Sequence, residues 1–198
     1  MSEQQVVDSD VEDLAQSIAD QVESFLLAVR EIASSGDASR AVPLLLLEVS
    51  QLLLAGARLG VQIDFVPSET YEPDAGPDPD LDRIRLELAK LLDGFDDYTE
   101  VFDPYIDPPD LVPSRVSDDV AAIAGRVAHG LQHFRAGRVD EALWWWQFSY
   151  VSSWGAEASG VLRALQSVVS HDRLDSDKDH TAEMERVAIA EALAQPPE

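Results

Sequence analysis

Two histidines four residues apart, His129 and His133, are the best-spaced candidates for chemistry in this 198-residue chain. On a helix that interval puts both imidazoles on one face, where they can grip a single metal ion. The glutamate that a HExxH metalloprotease motif carries after its first histidine is replaced by Gly130. Val120, Ile123, Val127, Leu131 and Phe134 mark the inward side of this helix, and both histidines fall nearly opposite. The reading is two solvent-facing histidines without a third ligand, and neither metal nor other cofactor is expected. Asp78, Asp80 and Asp82 imitate the start of an EF-hand, but Arg83 and Ala89 stand where that loop requires glycine and glutamate. Helix capping accounts for these aspartates better. No GxSxG elbow is present, and the four histidines give no visible nucleophile–base pairing, so catalysis is unsupported.

A second concentration of chemistry is ALWWWQFSYVSSWG, residues 142–155, which holds all four tryptophans. Three consecutive indoles sweep about 200° of a helix surface, more than one core-facing stripe. Leu143, Trp146, Tyr150 and Trp154 form one apolar stripe; Trp144, Phe148 and Val151 form another, roughly opposite. Two stripes predict a helix sandwiched between two partners. Trp145 lies between them near Ser149 and Ser152, so it is expected to be partly exposed and to anchor a ligand or partner. The interaction candidates are therefore Trp144, Trp145, Trp154 and Gln147. Glu48, Gln51 and Arg58 form the polar stripe of a leucine-rich helix and, with Arg163, are candidates to line a pocket near Trp145 and Gln147.

Charge narrows the partners. The chain carries 14 basic and 38 acidic residues, a net of −24, and residues 64–110 alone hold 15 acidic against 3 basic. Such a surface repels phosphate backbones and anionic lipid, so direct nucleic-acid or membrane binding is not expected; the acidic stretch reads first as a solvated loop and second as a surface able to dock a basic protein partner. The absence of cysteine removes disulfides, thiolate metal sites and cysteine nucleophiles, and fits a reducing cytosol. The first 24 residues lack a signal-peptide pattern, and the longest apolar run, Leu44 to Leu47, stops at Glu48. A cytoplasmic protein is expected. Nothing in the sequence sets its oligomeric state.

The elements that must position these residues are helical throughout. The fold class expected is all-α, an irregular bundle of six or seven helices with a long acidic, proline-rich crossing at 95–116. Residues 1–9 are expected as a disordered leader, 10–172 as a single domain, and 173–198 as a mobile acidic tail able to hold one peripheral helix. Val11, Leu14, Ile18, Val22, Phe25, Val29 and Ile32 recur at helical steps, and a second helix covers 38–59 before Gly60. Residues 61–77 form a long loop, and a third helix covers 80–92. A short helix is expected near 95–102. Ser117 and Asp140 are the expected caps of the next two helices, and Gly155 is expected to break the tryptophan helix. HFRAGRVDEAL, 133–143, has the turn chemistry of a tetratricopeptide hairpin, but no copy recurs at a 34-residue interval.

Several segments together carry a resemblance: SFLLAV, LLLEVSQLLLAGARLG, the YEPD stretch at 71–74, YTEVFDPY, DEALWWWQFSYVSSWG and RALQSVV. Over residues 12–172 the chain resembles an uncharacterised, mainly actinobacterial family, domain of unknown function 5063. Trp144, Trp146, Phe148, Trp154 and Gly155 are the most family-like portion, followed by residues 98–104. The resemblance implies a cytoplasmic helical domain with no assigned activity, cofactor or catalytic residue. It further suggests an acidic adaptor for DNA-repair proteins, since family members are often encoded beside a recombination mediator.

Overall fold

The computed structural model describes the backbone of residues 3–68, 70–101 and 103–194, and side chains between 10 and 174. Helices α1 (Glu3–Ser35), α2 (Ala38–Gly60) and α3 (Asp82–Leu91) precede a hairpin of β1 (Asp97–Val101) and β2 (Leu111–Arg115). Then come α4 (Val116–Arg135), α5 (Val139–Ser149), a π-helical turn (Tyr150–Trp154) and α6 (Gly155–Ala194). The architecture is a mostly helical bundle.

One continuous core joins α1, α2, α4, α5 and α6. Ile18, Phe25, Leu45, Leu52, Ile123, Leu143, Trp146 and Trp154 are its large, almost fully buried members. The inward positions expected for α1 and α4 supply it, apart from half-buried Val11, Leu14 and Phe134. α2 is long and apolar enough, by length and composition alone, to cross a membrane. Here its face of Leu45, Val49, Leu52 and Leu59 is buried in the bundle. Asp37 caps it by accepting a hydrogen bond from the Ser39 amide. A bond from the Ser39 hydroxyl, helped by the one from its amide, holds the Asp37 carboxyl below its ordinary pKa.

Within these elements the structure corrects the sequence reading in four places. Residues 97–101 are a strand, not a short helix, and pair antiparallel with 111–115 in the register Asp97↔Arg115 to Val101↔Leu111. Tyr98, Thr99 and Val101 are strand formers, and the prolines between 104 and 109 confine a helix's alternatives. Ser117 does not cap α4; Asp96 does, its carboxylate accepting from the Ser117 amide at 2.8 Å and the Ser117 hydroxyl at 2.7 Å. Asp140 likewise is not the cap of α5, which Arg138 precedes without a side-chain bond.

Gly155 is the fourth correction: it does not break the helix. α5 passes through one wide turn into α6, and a Cβ at 155 would collide with the Tyr150 carbonyl and ring. The glycine permits that close approach. α1 and α6 are the longest helices described, over Glu3–Ser35 and Gly155–Ala194. No glycine or proline interrupts the chain between Val161 and Ala194, so nothing local stops α6. Residues 1–2 and 195–198 lie outside the described residues.

Candidate functional site

The loop after α2 is laid along α4 and α5 by a series of specific bonds. Gln147, buried on α5, accepts from the Phe65 amide at 2.8 Å and donates to the Leu59 carbonyl at 2.9 Å. Ser68 donates to buried Glu141 at 2.5 Å. Gln132 donates to the Pro77 carbonyl, and Arg138 donates twice to the Asp74 carbonyl. A proline-rich segment without regular structure cannot satisfy its own backbone, so these side chains from the bundle do it.

That path delivers Glu72 to the two histidines. Its Oε1 lies 2.6 Å from His129 Nε2 and 3.0 Å from His133 Nε2. An ionised carboxylate only accepts, so each imidazole bonded to it carries its proton on Nε2. Burial works to raise the Glu72 carboxyl, but the hydrogen bonds and charge of both imidazoles bring it below the usual glutamate value. His133 is fully buried, and its Nδ1 has no hydrogen-bond partner. His129 is 19% exposed, with Asp78 Oδ1 3.6 Å from its Nδ1 and the Trp145 ring 4.4 Å away. The expectation of two solvated histidines without a third ligand therefore fails. The helical wheel saw only the bundle core, whereas this face is covered by the loop and by α5.

A chain of rings runs outward from this cluster. His129 meets Trp145, Trp145 meets Trp144 at 6.1 Å, and Trp144 stacks on Phe148 at 5.6 Å and 12°. Trp145 is half-buried, and its indole N–H donates to the Arg126 carbonyl at 2.8 Å. The outermost ring is Phe148, 53% exposed, followed by Val151 at 72%.

A second polar cluster lies behind the hairpin. The Tyr98 hydroxyl is 2.8 Å from Asp119 and 3.3 Å from Glu100, while Arg126 pairs with Glu157 at 2.9 Å. A phenol has one proton to give, so it donates to Asp119; the longer contact is satisfied when Glu100 keeps its own proton. Desolvation raises the carboxyls of Asp119, Glu100 and Glu157, against the Tyr98 hydrogen bond at the first two and Arg126 at the third, while Asp119 repels both glutamates and Glu157 repels Glu100. Asp118 and Asp96 push Asp119 further up, against Arg126; Arg163 opposes the rise at Glu100. Burial, with the neighbouring carboxylates, also raises the Tyr98 hydroxyl. Tyr98, Glu100 and Arg163 face a groove of 1190 Å³ between the start of α2, β1 and α6.

These raised carboxyls set a pH dependence. Their folded values lie above the unfolded ones, so the folded state binds more protons, and stability is lost as pH rises through the folded values. Asp37 and Glu72 act oppositely, losing their contribution as pH falls through their lowered values. The melting temperature is therefore expected to fall as pH rises through the raised values of Glu100, Asp119 and Glu157, and Glu100→Gln should shrink that fall. Thermal scans at a series of pH values above the ordinary carboxylate range check it; a melting temperature that climbs with pH there, or a Glu100→Gln variant with an unchanged slope, contradicts it.

Residues 9–171 match the family model described as Domain of unknown function (DUF5063). The chain belongs to this family. No curated protein matches the DUF5063 chain. Its fold is similar to a solved structure, protein BF1032 from Bacteroides fragilis, with a TM-score of 0.61 at 19% identity, covering 76% of this chain and 89% of that one. At that identity the likeness concerns the fold alone.

The structure separates the sequence's candidates in this DUF5063 domain. Gln51 meets Gln21 and Arg58 meets Ser17, both on α1. Glu48 is half-buried, with its carboxyl raised by desolvation and its Oε2 unpartnered. Arg163 faces the hairpin groove, and none of the others lines it. The pocket expected between the α2 stripe and Trp145 is thus not formed by these residues. Trp154 belongs to the interior at 1% exposure, edge-on to Tyr150. The two-sided sandwich expected for the tryptophan helix is also corrected. Leu143, Trp146 and Trp154 are buried, while Phe148 and Val151 of the opposite stripe face solvent. Glu72, Asp96, Tyr98, Glu100, Asp119 and Glu157 were not singled out by the sequence reading as site residues. YEPD and YTEV were the only signals, and they mark segments rather than contacts.

Proposed function

We propose that this DUF5063 chain is a non-catalytic cytoplasmic interaction module that binds a basic protein segment through the outer face of α5 and the acidic loop beside it. The observation that carries the reading is the stacked Trp144–Phe148 pair on the outer face of α5. Asp140, Trp144 and Phe148 follow one another at i, i+4 intervals, so one helix face offers a carboxylate and then two rings. Asp64 is exposed next to Phe65, whose amide Gln147 holds against the same helix. A guanidinium is planar, permanently charged and weakly hydrated, so it can stack on the rings while pairing with the carboxylates. An adaptor for DNA-repair proteins is the instance that the family resemblance suggests, because proteins that bind nucleic acid present basic surfaces. The test is the fluorescence anisotropy of a labelled arginine-rich peptide and its lysine counterpart, with wild type and Trp144→Ala/Phe148→Ala. Preference for arginine, weakening with salt and loss in the variant support the reading. Equal binding of both peptides by both proteins refutes it.

The hairpin groove favours a second reading, a small-molecule site. Its Tyr98–Glu100–Arg163 wall combines a hydroxyl, a carboxyl and a cation, which suits a small polar ligand. A metabolite that raises the melting temperature of wild type but not of Arg163→Ala would move the assignment there.

A further inference from the structure

We propose that Glu72, His129 and His133 form a binding site for one divalent transition-metal ion of the zinc class, with an open position for water. This goes beyond the interaction reading and does not rest on it. It also departs from the expectation that the chain takes no metal.

The geometry is that of three ligands already gathered. One donor atom from each of the three residues lies within 4.8 Å of the others. In a tetrahedral site with bonds of about 2.0–2.1 Å, neighbouring ligand atoms stand roughly 3.3 Å apart. The present spacings of 2.6 and 3.0 Å are hydrogen-bonded ones. An outward shift of the carboxylate by a fraction of an ångström would make room, the ion replacing the two Nε2 protons. Two imidazoles and one carboxylate make a borderline-hard donor set that suits zinc, cobalt or ferrous iron rather than calcium or magnesium.

The surroundings complete the site. The i, i+4 spacing fixes both imidazoles on α4, and the bonds from Gln132 and Arg138 to carbonyls on either side of the loop's turn hold Glu72 over them. Asp78, near the Nδ1 of His129, is placed as the outer carboxylate that orients a metal-bound imidazole. The Trp145 ring shields His129 on one side, while Glu72, with its side chain 35% exposed, opens on the other and leaves an entry path. Metal binding through His133 Nε2 moves the remaining ring proton onto Nδ1, which has no acceptor. Affinity is therefore expected about 10–100-fold below that of a site whose second nitrogens are both bonded.

The experiment uses the full, tag-free chain. After chelator treatment it is titrated with zinc against a chromophoric chelator, and with cobalt while visible absorption is recorded. Wild type is expected to bind one ion per chain, to show the d–d bands of low-coordinate cobalt, and to melt several degrees higher with zinc. Glu72→Gln and His129→Ala alter partly exposed residues and should keep the far-UV spectrum, yet lose zinc affinity at least about 100-fold and lose the cobalt bands. His133→Ala serves only as a supplement, because a buried ring is removed. Sub-stoichiometric binding in wild type, or unchanged binding in both folded variants, overturns the proposal.

Discussion

Trp146→Ala is expected to lower the unfolding free energy by about 3–5 kcal/mol, the largest loss for any single truncation on the tryptophan helix. Trp146 is fully buried, its N–H donates to the Val127 carbonyl at 2.9 Å, and its ring passes 6.1 Å from that of Phe134. Gly130 is what lets the indole approach α4, since a Cβ there would meet the indole nitrogen. Alanine would leave a cavity between two helices that other side chains already fix, so collapse can recover little. Phe148→Ala is the control: the ring is 53% exposed and loses mainly its stack on Trp144, worth about 0.5–1.5 kcal/mol. Urea denaturation of both variants checks this. Equal losses would mean that the two stripes of this helix are not buried and exposed as described.

Trp144→Ala/Phe148→Ala is expected to have the largest effect on binding. Residues at the centre of an interface that cost about 2 kcal/mol or more when truncated weaken it about 30-fold or more, and aromatic anchors dominate that class. The pair is preassembled, so a partner's guanidinium would find both rings in place and lose little entropy in ordering them. Charge acts differently. The carboxylates of the 64–80 loop steer a basic partner and speed encounter, so salt should slow association while ring removal speeds dissociation. Surface-immobilised arginine-rich peptide, with wild type and variant injected at two ionic strengths, separates the two effects. A variant that binds within threefold of wild type at either salt, with the same dissociation rate, would assign recognition elsewhere on the molecule.

Much of this fold is written in periodicity. Val22, Phe25 and Val29 on α1, and Val120, Ile123 and Val127 on α4, announce a buried face because helical spacing repeats locally. The loop from 61 to 81 has no period to read, and it carries the third member of the histidine cluster. His129 and His133 were recognisable as a pair from their interval alone. Their covering was not, because Glu72 reaches them across 57 and 61 residues by a path set through Gln147, Gln132 and Arg138. The strand at Asp97–Val101 was hidden for a related reason: five residues of alternation are too few to stand out beside prolines, and its partner lies ten residues on. Trp145 was legible in part, since its partial exposure could be read from its place between the stripes. Its need for an indole N–H partner was legible, but the partner is the Arg126 carbonyl inside the bundle.

The account depends on the acidic loop being seated on α4 so that one carboxylate receives both imidazoles. Long-range nitrogen–proton spectra of the histidine rings, in the metal-free chain and in Glu72→Gln, measure this directly. His129 and His133 are expected to hold their protons on Nε2 and to shift markedly in the variant, while exposed His171 stays unchanged. If His129 and His133 instead give averaged, solvent-like signals that ignore the loss of the carboxylate, the loop is not seated and the site described here does not exist.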